Sequence, residues 1–252
     1  MSKNKKVLTC EKVSLDIPVI SKTDLSLKRE FIRSITGGQV SSKRGNTTIK
    51  ALSNLNLTIY AGQRIALIGH NGSGKSSFIR LISGIYSPSS GILKRFANVY
   101  PLLHKSFIVS NYLTGIDAAK AHYLLYNYNF NEFDNFLEDV KNFSGLGDFI
   151  SLPIRTYSEG MAARLMFALL TYHSHEFLAL DEGLGMGDAA FYNKARTRLA
   201  KFIDKSGTLV LASHSQELLK KFCTRGIIFS KGTIVYDGKL DDALRYYDSK
   251  HN

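Results

Sequence analysis

Leu55, Leu57 and Ile59 alternate with polar neighbours, the period of a half-buried strand. A turn at Ala61-Gly62 separates them from the compact apolar run Ile65 to Ile68, read as a second strand. A glycine-rich stretch follows. From Ser76 the apolar residues Phe78, Ile79, Ile82 and Ile85 recur at helical spacing, in a pattern that ends near Gly84 and Pro88. From about His104 to Gly160 the character changes. Ala118 to Tyr126 and Phe133 to Phe143 read as amphipathic helices with no strand signal between them, which predicts a helical subdomain. Ala162 to Thr171 is also helix-like. Beyond it, Phe177 to Leu180 and Thr208 to Ala212 read as strands, and Ala189 to Phe202 and Glu217 to Phe222 as helices, an alternation that predicts a largely parallel sheet.

There is no internal repeat, and Pro18, Pro88, Pro101 and Pro153 fall near element boundaries. The expectation is one α/β domain over 1–252, with a core from about 1–103 and 161–252 and a helical subdomain over 104–160. Ile20 to Ile35 stands apart: Leu25, Leu27, Phe31, Ile32 and Ile35 are set among Lys22, Lys28, Arg29 and Arg33, as in a short basic amphipathic helix, and the polar Gly37 to Thr48 reads as a loop. Such a helix packs on its own domain or docks on a membrane surface or a partner.

Composition narrows the classes. With 252 residues, 44% apolar and 21% charged, the chain can bury one full-sized core or two small ones, and disorder, collagen and coiled coil are excluded. A net charge of +12 favours anionic partners, whether nucleotide, nucleic acid or membrane surface. The longest wholly uncharged apolar stretch near a helical length, Leu165 to Tyr172, is far short of the ~20 residues of a membrane span. Met1 to Lys6 is basic but lacks the apolar core of a secretory signal after it, so a cytoplasmic protein is expected. Cys10 and Cys223, more than two hundred residues apart and without a CxxC pair, read as reduced thiols.

The chemistry concentrates at Gly69-His70-Asn71-Gly72-Ser73-Gly74-Lys75-Ser76, which fits GxxxxGK[ST] between a predicted strand and a predicted helix: the P-loop arrangement. Its glycines turn backbone N–H groups toward one concavity, and the helix directs its positive end there. Lys75 reaches the terminal phosphates and the Ser76 hydroxyl can bind Mg²⁺. A second carboxylate for the metal is expected, and the strand Phe177 to Leu180 ends in Asp181-Glu182. Asp181 is placed for Mg²⁺, and Glu182 to orient or deprotonate an attacking water. His173 and His175 read as exposed loop residues rather than metal ligands.

Between these motifs, Thr156-Tyr157-Ser158-Glu159-Gly160-Met161 precedes the helix-like Ala162 to Thr171. With this combination the chain resembles the ATP-binding cassette (ABC) proteins, whose signature is usually LSGGQ, and in particular the ATPase subunits of polysaccharide exporters, which carry a YSSGM form. Further matching stretches are Ala66 to Gly72, Asp181-Glu182-Gly183 with Gly187 to Ala190, and Leu211-Ala212-Ser213-His214-Ser215. The resemblance runs from about Val7 to Asp248. It implies a P-loop NTPase fold with an antiparallel N-terminal β part, a mixed, largely parallel core and a helical subdomain.

It also implies ATP and Mg²⁺ as cofactors, with ATP contacts from Gly69 to Ser77. Two copies would close head to tail, so that Ser158 and Gly160 of one face the ATP held by Lys75 of the other. His214 resembles the switch histidine that contacts the γ-phosphate and the attacking water. Asp188 is either the loop aspartate crossing that interface, a helix N-cap, or both. The family's glutamine near Leu102 to Ser106 is missing, and His104 stands at about its place; an imidazole there can contact water or γ-phosphate but is a poor Mg²⁺ ligand. Ile17 falls where an aromatic would stack on adenine.

The implied function is ATP hydrolysis that powers export of a lipid-linked cell-surface polysaccharide such as O-antigen. An integral membrane permease would hold the protein at the cytoplasmic face of the inner membrane, and no nucleic acid is expected as a partner. At this length no appended carbohydrate-binding domain is expected. The alternatives are a soluble ABC ATPase acting on nucleic acid or ribosomes, and a nucleotide-gated interaction module without turnover.

Overall fold

Where an apolar run has no polar alternation, the strand it forms is covered on both faces. β4 (Arg64–Ile68), β7 (Phe177–Leu180), β8 (Thr208–Ala212) and β9 (Arg225–Ser230) are such strands, with only Arg64, Arg225 and Ser230 reaching solvent even partly. The computed structural model describes residues 5–19, 39–43, 46–102, 110–126, 129–181 and 189–251. They divide into two compact units, one within Met1–Pro101, His175–Glu182 and Ser206–Asn252, the other within Leu102–Ser174 and Gly183–Lys205.

The first unit contains two sheets. β1 (Lys6–Val19), β2 (Gln39–Lys43), β3 (Asn46–Tyr60) and β5 (Ser90–Arg95) form an antiparallel sheet in the order β2-β3-β1-β5. Adding β6 (Tyr100–Leu102) and β10 (Thr233–Lys239), the second sheet has the order β10-β9-β4-β8-β7-β6. β9, β4, β8 and β7 run parallel there, and β10 pairs antiparallel with β9. The sheets are therefore mixed and largely parallel in the core, with an antiparallel N-terminal part, as the sequence pattern and the resemblance lead one to expect. α1 (Lys75–Ile82) buries Phe78, Ile79, Leu81 and Ile82.

One expectation about this sheet changes. The polar stretch Gly37 to Thr48 is not all loop, because Gln39 to Lys43 pairs with Asn46 to Lys50 residue by residue. A ladder held by backbone hydrogen bonds needs no apolar face, so it leaves no hydrophobic period to read. The basic segment Ile20 to Ile35 lies outside the described residues.

The second unit is helical. α2 (Gly115–Leu125) opens at Thr114, whose hydroxyl accepts from the Asp117 N–H at 3.1 Å. α3 (Phe133–Ser144) buries Phe136, Val140 and Phe143 along one stripe. α4 (Glu159–Leu170) and α5 (Ala189–Lys205) follow. α6 (Gln216–Phe222) and α7 (Leu240–His251) return to the first unit. Between residues 110 and 174 the described residues contain no strand, only an isolated bridge between Thr114 and Pro153.

His173 and His175 are half-buried, not exposed. An imidazole packs its faces like other aromatic rings. His175 stacks on Tyr100 at 3.5 Å between ring centres, and His173 lies 4.6 Å from Tyr172 and 5.7 Å from Tyr123. Cys10 and Cys223 are buried free thiols, and burial pushes both up to about 12, so neither forms a thiolate at neutral pH.

Candidate functional site

The register of the parallel strands assembles the site before any side chain is considered. Leu67 of β4 is level with Ala212 of β8, and Leu180 of β7 with Leu211. The chain therefore leaves three neighbouring strands at one edge: into Gly69 from β4, into Ser213-His214 from β8 and into Asp181 from β7. Carboxyl ends of parallel strands are where open α/β sheets bind ligands. The Ser213 hydroxyl accepts from the Ser215 N–H at 3.0 Å and Ser215 caps α6, which fixes the turn that carries His214.

A cleft of about 410 Å³ lies there, lined by Asn71 to Ser77, Asp181 and His214, and by Ile17, Ile49, Lys50, Ala51 and Gly232. Gly69, Gly72 and Gly74 have φ of +147°, +77° and +115°, conformations that L side chains rarely adopt. A Cβ on Gly69 would lie 2.5 Å from the Phe229 carbonyl oxygen, so the loop has no room for one. The N-terminus of α1 has no side-chain cap, which leaves its first N–H groups for a ligand.

Lys75 is buried, and its Nζ donates to the Gly69 oxygen at 2.5 Å and to the His70 oxygen at 3.1 Å, folding back over its own loop. Ser73 is fully buried and its Oγ has no hydrogen-bond partner among the described residues. His214 Nε2 lies 3.0 Å from Asn71 Oδ1, a bond donated by the Nε2–H tautomer. Asp181 is half-buried. Its carboxylate and the Ser76 hydroxyl are hard oxygen donors lining one cleft, a set that suits Mg²⁺, which takes one or two protein ligands and fills its shell with phosphate and water. Among the described residues no group of three His, Cys, Asp or Glu could hold a metal by protein ligands alone.

Of the expected site residues, Asn71 to Ser77, Asp181 and His214 line this cleft, while Gly69 and His70 supply its backbone. Ser158 and Gly160 lie in the helical unit. There Ser158 is the N-cap of α4, its Oγ accepting from the Met161 N–H at 3.2 Å, and Glu159 is exposed in the first turn. Glu182, His104 and Asp188 lie outside the described residues. Ile17 lines the cleft, and the β1–β3 register places it opposite Ile49.

Ile49, Lys50, Ala51 and Gly232 were missed by the sequence reading. For Gly232 a signal existed: Lys231-Gly232 stands between two apolar runs, a short hairpin turn, and both residues have positive φ (46° and 77°). That turn braces the loop, since the Gly232 N–H donates to the Ser73 oxygen at 2.9 Å and the Ser53 N–H donates to the Gly232 oxygen at 2.8 Å.

A family model described as ABC transporter matches residues 52–185. The O-antigen export system ATP-binding protein RfbE of Yersinia enterocolitica is 36% identical over 235 residues, 93% of this chain and 98% of that protein. The teichoic acids export ATP-binding protein TagH of Staphylococcus saprophyticus is 32% identical over 203 residues, 81% of this chain and 76% of that protein. Among solved structures, a dimeric post-hydrolysis state of an ATP-binding cassette bound to ADP and Pi superimposes with a TM-score of 0.64 at 17% identity, over 92% of this chain and 98% of that one.

Proposed function

The chain belongs to the ABC transporter family, and we propose that it is the ATP-binding and ATP-hydrolysing subunit of an exporter of a cell-surface polysaccharide. One observation carries the reading: Lys75, Asp181 and His214 line a single cleft at the ends of three adjacent parallel strands. The roles named for the relatives, O-antigen export and teichoic acids export, support a polysaccharide as cargo.

In this reading the backbone N–H groups of Gly69 to Ser77 and the start of α1 hold the β- and γ-phosphates, and Lys75 leaves the Gly69 and His70 carbonyls to pair with them. Ser76 and Asp181 would hold Mg²⁺, which would supply charge neutralisation of the phosphates. Glu182, next in chain to Asp181, takes a proton from the attacking water as its oxygen bonds to the γ-phosphorus and ADP leaves. His214, held by Asn71, would orient that water and the γ-phosphate, and His104 is assigned to contact the same groups from its place in the sequence alone. Apolar contacts with Ile17 and Ile49 hold the base.

Ser158 and Gly160, at the start of α4, would complete the site of a second copy in a head-to-tail ATP sandwich. The whole of 1–252 then acts as one cassette, with the P-loop core over about 1–103 and 161–252 and a helical subdomain over 104–160. No described helix is long and apolar enough to cross a membrane. An integral permease is therefore the proposed partner at the cytoplasmic face of the inner membrane, with the lipid-linked polysaccharide handled by the complex. Steady-state Mg²⁺-dependent ATPase measurement on wild type and Glu182→Gln tests the mechanism: the variant should retain ATP and lose turnover, and equal turnover in both would overturn it.

A further inference from the structure

The helical unit carries a second cavity, of about 660 Å³, that the nucleotide reading does not use. Its lining comes from α3, α5 and the segment after α4. Four basic residues of α5 line it, Lys194, Arg198, Lys201 and Lys205, at spacings of four, three and four that keep them on one helix face.

The first two are committed to structure. Lys194 Nζ donates at 2.9 Å to both the Asn142 and Phe143 carbonyls at the C-terminus of α3. Arg198 donates to both carboxylate oxygens of Asp139 at 3.0 and 2.7 Å and to the Thr171 hydroxyl at 2.7 Å, so Asp139, the one carboxylate among the described residues that line the cavity, is already neutralised. Lys201 and Lys205 are exposed and have no ion pair or hydrogen bond among the described residues. The Tyr172 phenol, the Ser174 hydroxyl and the Asn193 amide line the same cavity, likewise without hydrogen-bond partners for their side chains among the described residues.

Two unpaired ammonium groups, three neutral polar groups and a half-buried tyrosine ring thus surround a space within the ~300–1,000 Å³ of small-molecule sites. Ammonium and hydroxyl donors suit phosphoryl oxygens, and a tyrosine face suits a flat or sugar ring. The geometry points to a second ligand site, independent of the P-loop, for a phosphate-bearing ring compound: Lys201 and Lys205 hold the phosphate, and Tyr172 packs against the ring. The phosphoryl group comes either from a soluble nucleotide or sugar phosphate or from a phospholipid headgroup.

The sequence contains no tryptophan, so Tyr172→Trp in the full chain gives a single fluorescent reporter inside the cavity. It is titrated with pyrophosphate, AMP, glucose 1-phosphate, and vesicles of phosphatidylcholine with or without phosphatidylinositol. A saturable change is expected and should survive Lys75→Ala. It should weaken about tenfold or more in Lys201→Glu/Lys205→Glu, because two charge-assisted contacts are lost. Saturation by the soluble phosphates identifies a free ligand, and saturation only by phosphatidylinositol vesicles identifies a headgroup.

Wild-type protein provides a second reading without any substitution. Amine acetylation followed by mass spectrometry should slow at Lys201 and Lys205 in the presence of the same probe, with exposed Lys120 and Lys141 unaffected. The proposal is overturned if no probe saturates, if the double lysine variant binds as well as its parent, if Lys75→Ala abolishes the change, or if all four lysines are protected alike.

Discussion

Replacing Lys75 with methionine separates two jobs that one ammonium group performs. Without nucleotide, Nζ donates to the Gly69 and His70 carbonyls and so ties down the loop that it arises from. The methionine stem fills most of the same volume but donates nothing. Loss of one buried and one part-buried contact to carbonyls, partly offset by relaxation and water, costs ~1–2 kcal/mol of stability, or about 2–8 °C in Tm for a chain of this size. With nucleotide, the same group exchanges carbonyl oxygens for phosphate oxygens, so only the difference between the two sets counts toward affinity. A charge-assisted phosphate contact exceeds an ammonium–carbonyl one by roughly 2–3 kcal/mol, which predicts about 30- to 150-fold weaker ATP binding. Titration calorimetry with Mg²⁺-ATP and thermal melts without nucleotide read the two effects independently. Affinity within threefold of wild type alongside the expected fall in Tm would refute the phosphate role and leave Lys75 as a structural strap.

Two more substitutions probe the helical unit. Arg198→Met removes a bidentate pair to Asp139, whose partners are 15% and 35% exposed, together with the bond to Thr171; about 2–3 kcal/mol of stability should be lost by denaturant titration, and a loss below ~0.5 kcal/mol would mean the pair is solvent-screened. His173 has its imidazole pushed below the ordinary 6.5 by burial, with the Glu132 carboxylate opposing the shift. The unfolded chain therefore takes up that proton first, so its contribution is fully present above about pH 6.5 and is lost as pH falls through the lower folded value. His173→Phe should flatten the decline in thermal stability between about pH 7 and pH 5, and an unchanged profile would exclude His173 as its source.

Most of the core was legible because its strands are short, apolar and punctuated by glycine or by acid. Phe177 to Leu180 and Thr208 to Ala212 coincide with β7 and β8, and the P-loop lies between β4 and α1 as its spacing implied. The polar arm was not legible, since the β2–β3 ladder is held by backbone bonds that carry no side-chain period. The half-burial of His173 and His175 escaped for another reason: a neighbouring ring decides it, and Tyr100 is 75 positions before His175. The second cavity is similar. Asp139 and Arg198 meet across 59 residues, and no local window contains both.

The nucleotide cleft shows the same division inside a single site. The motif supplies donors, but what holds them apart is chain that the motif does not contain. The Ala51-Leu52 stretch of β3 packs where a Cβ on Gly74 would stand, 3.0 Å from Leu52 Cδ2, and the Lys231-Gly232 turn is bonded to Ser73 on one side and to Ser53 on the other. Gly232→Ala tests whether this brace matters. At φ +77° the new Cβ would meet the Ala51 carbonyl oxygen at 2.6 Å, and backbone cannot swing aside as a flexible side chain can. Strain and displacement together cost about 1–3 kcal/mol. If the brace sets the loop's shape, part of that cost appears in nucleotide binding, although Gly232 has no side chain to offer a phosphate. Affinity for Mg²⁺-ATP should fall several-fold while Glu182 and Lys75 are untouched. A stability loss with affinity unchanged would mean that the loop holds its shape through its own glycines and through Lys75 alone.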